Sequence, residues 1–170
     1  MKFFASLALM AATALAGPIG VRSTHATSEF KLKTHGATID ALNNLYVYAY
    51  HSGAGLNDAV LSSNASEATP FWITNGTVYA DLEDSYSWGL SINGDTDEAS
   101  WEPVVIDADG GESGYSISHG KLIGSTEEEF DGWLVCPWYH NAPQLFGLVS
   151  GFDAVIPSSC SKVTLEVIYE

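Results

Sequence analysis

The strongest constraint on the fold of this chain is a series of short segments in which the residue character alternates at every second position. Residues 43–51 carry a tyrosine at every second position from Tyr46 to Tyr50, with small or apolar residues between them. Residues 30–34 and 86–92 alternate in the same way. A period of two is that of a β-strand, whose successive side chains point to opposite faces of a sheet. These segments are therefore predicted to be strands.

Turn-forming residues separate the predicted strands. Asn75-Gly76 lies between two strand-like segments, and this dipeptide favours two-residue hairpins because both residues tolerate a positive φ. Residues 52–56 are rich in glycine and predict a second turn. After that turn, residues 57–61 are expected to lead into a polar loop at residues 62–69.

Helical patterns are almost absent from the sequence. The two candidate windows are residues 39–42 and 126–130, and neither is longer than about two turns. Many short strands with frequent Gly, Asn, Asp and Pro between them indicate an all-β fold. We predict an antiparallel β-sandwich, with a closed β-barrel as the alternative, little or no helix, and one disulfide.

The first residues have the pattern of a secretory signal peptide. Lys2 precedes an apolar run, residues 3–15, that is too short to span a bilayer, and small residues at its end mark a cleavage site. We predict a signal peptide at residues 1–16, a flexible tail at 17–28 and one all-β domain at 29–170. The protein is expected outside the cell, in solution or at the cell wall.

The charge balance excludes several classes of partner. The chain has 21 Asp and Glu against 6 Lys and Arg. Residues 1–16 hold one of those basic residues and no acidic residue, so the remaining chain has 5 basic residues and a formal net charge of −16. Such a charge repels nucleic acid and anionic membranes. An aromatic content of 12% argues against a disordered chain.

Residues 131–146 concentrate aromatic side chains and contain Cys136, one of two cysteines. Two cysteines in a secreted chain pair most simply with each other, so we predict a Cys136–Cys160 disulfide. Its stabilising effect would be about 3–4 kcal/mol. The bond would tie this aromatic segment to the turn before the last strand.

Two sequons, at Asn64 and Asn75, predict N-glycosylation. Both begin an Asn-x-Ser/Thr triplet in a predicted loop or turn. Glycans there would cover one end of the domain.

No catalytic motif is present, and two carboxylates are the candidates that a hydrolase would use. Glycoside hydrolysis needs a carboxylic acid with a raised pKa and a second carboxylate across a cleft. Glu102 follows Trp101, whose indole could desolvate a carboxyl group, and Asp131 precedes Trp133 by two residues.

No metal site or cofactor is predicted. Residues 95–98 and 107–112 carry alternating carboxylates, the ligand type that Ca²⁺ prefers, but neither has the EF-hand spacing. The histidines show no metal-ligand spacing, and the sequence has no phosphate-binding or dinucleotide-binding fingerprint. Solvated turns explain the acidic clusters better.

The surplus of aromatic residues is the remaining functional signal. Exposed Trp and Tyr rings can stack on sugar rings, because each ring has an apolar face and a polar edge or tip. The candidates for a binding surface are Trp138, Tyr139, His140 and Tyr48, of which the first three lie at the predicted turn of the aromatic segment.

Several segments resemble a family of small secreted proteins of filamentous fungi, grouped under a domain of unknown function (DUF7907-like). The matching segments are residues 30–34, 44–47, 51–61, 132–146 and 156–163. The resemblance covers essentially the whole chain after residue 16. It implies a secreted fungal protein with one domain and one disulfide, and it carries no activity or catalytic residue.

The function expected from these patterns is non-enzymatic and extracellular. The protein would bind a cell-wall glycan or a host surface through exposed aromatic residues. Two alternatives stay open, a small acidic glycoside hydrolase and a secreted effector. The oligomeric state is not indicated by the sequence.

Overall fold

A computed structural model of the protein describes residues 28–92, 100–124, 130–151 and 153–169. In this part of the chain the strands are β1 Phe30–His35, β2 Tyr46–Gly53, β3 Leu56–Ser62, β4 Phe71–Thr74, β5 Thr77–Ala80, β6 Trp88–Ile92, β7 Trp101–Ala108, β8 Ser116–Ser118, β9 Lys121–Ile123, β10 Phe130–Pro137, β11 Pro143–Val149 and β12 Ser161–Tyr169. One short 3-10 helix, Asp40–Leu42, falls in a predicted helical window. The all-β prediction is confirmed.

The sheet closes on itself. Its hydrogen-bonded neighbours run β1-β4-β5-β6-β7-β3-β11-β10-β12, and β12 pairs again with β1, which gives a closed antiparallel barrel of nine strands. Strand β2 pairs with β3 along most of its length and with β1 at one residue. The β8–β9 hairpin extends the sheet from β12. Of the two architectures that the sequence left open, the structure therefore has the closed barrel.

The main core fills the barrel. Alternate residues of most strands contribute to it, among them Leu32, Leu90, Ile106, Val135 and Leu165, and each is almost completely inaccessible to water. Trp72, Trp88 and Trp133 are also buried. Burial of apolar area at about 25 cal/mol per Å² is the main stabilising contribution of such a core.

Strands β10 and β11 are buried on both faces. Trp133, Val135 and Leu145 point into the barrel. The residues between them form a second cluster outside the barrel, covered in part by Trp101, Ala154 and Ile156; its buried members are Leu134, Cys136, Phe146, Leu148 and Cys160. A strand that is buried on both faces loses the alternating pattern, which is why residues 133–136 of β10 are apolar at four successive positions.

The predicted disulfide is confirmed. Cys136 at the end of β10 bonds to Cys160, whose Cα lies 4.3 Å away and which directly precedes β12. Strands β10 and β12 are neighbours, with Val135 opposite Ser161. The disulfide therefore links β10 to the residue before β12, two strands that are already adjacent in the sheet.

The turns lie where the sequence predicts them, and the structure contains one strand, β3, that the sequence pattern did not predict. Asn75 and Gly76 have φ of 52° and 79° and join β4 to β5, as the hairpin signal predicts. The glycine-rich turn joins β2 to β3. The sequence analysis assigned residues 57–61 to the approach to a loop, whereas the structure has them in β3. Their pattern is not alternating because Val60 is buried outside the barrel while Ala59 and Leu61 are buried inside it.

Some predictions fall outside the described residues. These are the signal peptide at 1–16, residues 17–27 of the flexible tail, the acidic loop at 95–98 and residues 126–129 of the second helical window. Within the described ranges, no helix has the length and apolar character that crossing a membrane requires.

Candidate binding surface

Three of the four predicted binding residues, Trp138, Tyr139 and His140, lie at one turn of the barrel, and Tyr48 lies on β2. Residues 138–142 connect β10 to β11, and the Trp138 N–H donates to the Ala142 carbonyl oxygen at 3.4 Å. Asn141 has a φ of 54°, a left-handed conformation that asparagine tolerates better than most residues. Trp138 is 41% exposed and Tyr139 is 83% exposed. Both rings are accessible to a partner.

Trp138 folds back over the outer face of β11. Its ring centroid lies 5.4 Å from that of Phe146 and 5.7 Å from that of Trp101 on β7. The rings meet edge-to-face, a geometry that adds about 0.5–1.5 kcal/mol per pair beyond the burial of area. Tyr139 packs against Trp138 from the solvent side, with centroids 5.0 Å apart. The exposed tyrosine therefore stands on an ordered aromatic base.

His140 holds the other end of the turn to β3. Its Nε2 lies 2.7 Å from Oδ2 of Asp58, and each side chain is only 20% exposed. The imidazole also lies against Tyr50, with centroids 4.1 Å apart and planes 30° apart. Tyr50 in turn meets Tyr48 edge-to-face at 6.4 Å. Two strands, β2 and β3, thus position the turn.

All four predicted binding residues are therefore brought to one face of the molecule. We call this face the aromatic surface. It comprises Tyr48, Tyr50, Trp101, Trp138, Tyr139 and His140. Sequence analysis missed Tyr50, Trp101 and the anchoring Asp58, because strand pairing brings them to the turn. The signal for Asp58 was a carboxylate directly before the apolar residues 59–61 of the same strand.

The charged side chains at the aromatic surface are acidic. Partial burial raises the pKa of the Tyr48 phenol, and the charges of Glu67 and then Tyr50 raise it further. Lys33 and Lys162 form ion pairs elsewhere, with Glu166 and with Asp131. In the described part of the chain, none of the ring contacts of this surface involves a Lys or Arg.

The two carboxylates suggested for hydrolysis are not brought together. Glu102 on β7 is 5% exposed and lies opposite Gly147. A Cβ on Gly147 would come within 2.5 Å of the Ile92 side chain, which belongs to the barrel core, so this pair faces inward. Asp131 is exposed and binds Lys162 on the outside.

The position of Glu102 also differs from the reasoning that selected it. Trp101 was expected to desolvate its carboxyl group. Neighbouring residues of a strand point to opposite faces, and the Trp101 ring packs outside the barrel against Phe146 at 4.8 Å. The burial of Glu102 therefore comes from the barrel interior.

Metal-binding groups do not converge in the residues that the structure describes. No set of three or more His, Cys, Asp or Glu side chains there could hold an ion. Glu112 of the acidic segment 107–112 turns to the protein instead, where its carboxylate accepts hydrogen bonds from the Ile92 N–H and the Tyr115 hydroxyl.

The two sequons occupy exposed positions. Asn75 is in the β4–β5 turn, and Asn64 is in the turn that follows β3. The Asn64 turn is linked to the aromatic surface, since Ser62 donates to Glu67, the residue whose charge affects Tyr48. A glycan on Asn64 would therefore flank the Tyr48 end of that surface.

Comparison with known proteins identifies a family and nothing more specific. Residues 27–169 match the family described as Domain of unknown function (DUF7907). The chain belongs to this family. The match covers every strand of the barrel and the aromatic surface. The comparisons with curated proteins and with solved structures give no match.

Proposed function

We propose that this chain is a secreted, non-enzymatic protein that binds a glycan through the aromatic surface, in solution or at a cell wall. The observation that carries the proposal is the exposure of Tyr50, Trp138 and Tyr139 on one face, above a buried base. The signal-peptide pattern of residues 1–16 supports secretion, and the family resemblance supports a fungal source. A partner on a host surface would meet the same residues.

The angles between the exposed rings favour a single flexible chain over a flat crystalline polymer. The planes of Trp138 and Tyr139 differ by 69°, and those of Tyr48 and Tyr50 also differ by 69°. Binding to a flat polymer face needs rings in one plane, whereas rings at an angle can hold successive sugars of a bent chain. We therefore propose a soluble oligosaccharide or a free chain end as the ligand.

The negative charge of the protein favours a neutral sugar over an anionic one. The chain is strongly acidic, and Asp58 and Glu67 lie at the aromatic surface. An anionic sugar such as a uronate would be repelled. A neutral sugar meets no such cost, and its apolar ring face matches the exposed aromatic area.

Calorimetric titration with three neutral tetrasaccharides tests the proposal. Chitotetraose, laminaritetraose and cellotetraose represent the main neutral cell-wall polymers. Tyr139→Ala is expected to weaken binding about tenfold, which corresponds to about 1.4 kcal/mol. Tyr86→Ala is the matched control. Tyr86 is 58% exposed and packs on Trp88 of β6, and it lies outside the aromatic surface.

Two results would contradict the proposal. One is that none of the three sugars binds the unmodified protein. The other is that Tyr139→Ala and Tyr86→Ala change the affinity equally, because binding would then not depend on the aromatic surface.

A further inference from the structure

Gln144 on β11 is a buried polar side chain without full hydrogen bonding. It is 2% exposed, and its Oε1 has no hydrogen-bond partner in the part of the chain that the structure describes. A buried carbonyl oxygen that loses water without gaining a donor destabilises the fold. Native proteins contain few such atoms, and each one calls for a physical reason.

The strand register places Gln144 beneath the aromatic surface. It lies opposite Val60 on β3 and Cys136 on β10, and Tyr48 lies opposite Val60. Paired residues share a face of the sheet, and Cys136 belongs to the cluster outside the barrel. The Gln144 side chain therefore points outward, under the 138–142 turn.

The two anchors of the turn both reach the rung next to that of Gln144. Trp138 reaches Phe146, two residues beyond Gln144 on the same face of β11. His140 reaches Asp58, two residues from Val60 on the same face of β3. Phe146 and Asp58 lie on the rung next to that of Gln144 and Val60, so Gln144 lies between these two contacts and the turn itself.

Side-chain contacts, more than backbone hydrogen bonds, hold this cover in place. The backbone bond across the turn is long, at 3.4 Å between the Trp138 nitrogen and the Ala142 oxygen. The other fixed contact on the β3 side is the pair between His140 and Asp58. A ligand that inserts between the two anchors has to displace the contacts of one side chain, such as those of His140 with Asp58 and Tyr50, and no strand pairing.

We infer that Gln144 is the polar floor of a ligand subsite under the 138–142 turn, where its Oε1 accepts a hydrogen bond from the glycan. This inference rests on the proposed glycan binding and names a residue and a bond for it. The donor is a hydroxyl or an N-acetyl N–H of a neutral sugar. The aromatic rings supply area, and Gln144 supplies orientation, as in sites with a few placed polar groups.

The inference predicts opposite effects on stability and on binding. Gln144→Met removes the amide and keeps an unbranched side chain of similar length. The free protein should become at least as stable, because the unpartnered oxygen is gone. Binding should weaken about tenfold, because the donor of the sugar would then be buried without a partner.

The experiment combines urea unfolding with calorimetric titration of chitotetraose, laminaritetraose and cellotetraose. Gln144→Leu serves as a second apolar replacement in case one variant packs poorly. The expected result is an unchanged or higher unfolding midpoint together with a loss of affinity in both variants. A lower midpoint in both variants overturns the inference, because Oε1 would then be satisfied in the free protein, for example by a buried water.

The titrations separate this inference from the proposal on which it rests. If the unmodified protein binds none of the three sugars, both fail. If it binds one of them and Tyr139→Ala weakens that binding, while both Gln144 variants bind like the unmodified protein, only the role of Gln144 fails.

Discussion

Removing the Cys136–Cys160 disulfide should cost a large part of the stability of this barrel. The bond closes a loop with a sequence separation of 24 residues. The chain-entropy relation gives about 3.5 kcal/mol for a loop of this size, through the freedom that the unfolded chain regains. Both cysteines are buried, at 1% and 7% exposure, so replacing them by alanine adds a packing loss of about 1 kcal/mol. The expected total is about 4–5 kcal/mol.

Urea unfolding followed by tryptophan fluorescence measures this cost in the double variant Cys136→Ala/Cys160→Ala. Ile156→Val is the matched control, because Ile156 packs on the same cluster and its change reports the packing loss alone, at about 1 kcal/mol. A double variant that loses no more than this control would refute the loop-entropy reasoning. The m-value should change as well, since the unfolded chain becomes less compact.

Two smaller predictions concern a turn anchor and a partly buried carboxyl group. His140→Ala removes the contact with Asp58 at 2.7 Å and the packing on Tyr50, so urea unfolding should show a loss of about 1–3 kcal/mol. Asp107→Asn should make the protein more stable at pH 7. Burial raises the pKa of the Asp107 carboxyl above its ordinary value of 3.8, so its stabilising contribution is complete below that value and is lost as the pH rises through the raised pKa. The advantage of the variant should therefore vanish at pH 3.

Exposed residues of the same type provide the controls. His51 is exposed on β2, so His51→Ala should leave stability almost unchanged. Asp109 is exposed at the end of the segment that contains Asp107, and Asp109→Asn should give no pH-dependent gain. Equal effects of both aspartate changes would show that the overall negative charge, and not the burial of Asp107, sets the pH dependence.

Local features of the fold follow directly from local sequence. Asn75-Gly76 predicts the β4–β5 turn because both residues adopt a positive φ at little cost. The alternation from Trp88 to Ile92 predicts β6, because Trp88, Leu90 and Ile92 all face the barrel core. In both cases the decisive interaction lies within a few residues along the chain.

The closure of the sheet could not be predicted in the same way. Alternation shows that one face of a strand is buried, and a sandwich and a barrel bury that face equally well. Closure depends on the β1–β12 pairing, in which Phe30 lies opposite Tyr169 near the other end of the chain. No pattern within either segment indicates that the other segment is its pairing partner.

The candidate site shows the same division between local and long-range information. Trp138, Tyr139 and His140 share one turn, and a cluster of aromatic residues at a turn was visible in the sequence. Trp101 joins that turn from β7, and Asp58 joins it from β3. Glu102 shows the converse, since its nearest aromatic neighbour in sequence lies on the opposite side of the strand.

The double burial of β10 and β11 limits which substitutions this chain can accept. In a strand with one solvated face, every second position can accept a polar residue at little cost, so sequences drift there freely. Residues 133–136 and 145–148 have no such position, because every one of them is buried. A charged side chain at any of these positions would therefore cost stability, whereas the exposed Tyr139 in the 138–142 turn can change without disturbing the strands that carry the turn.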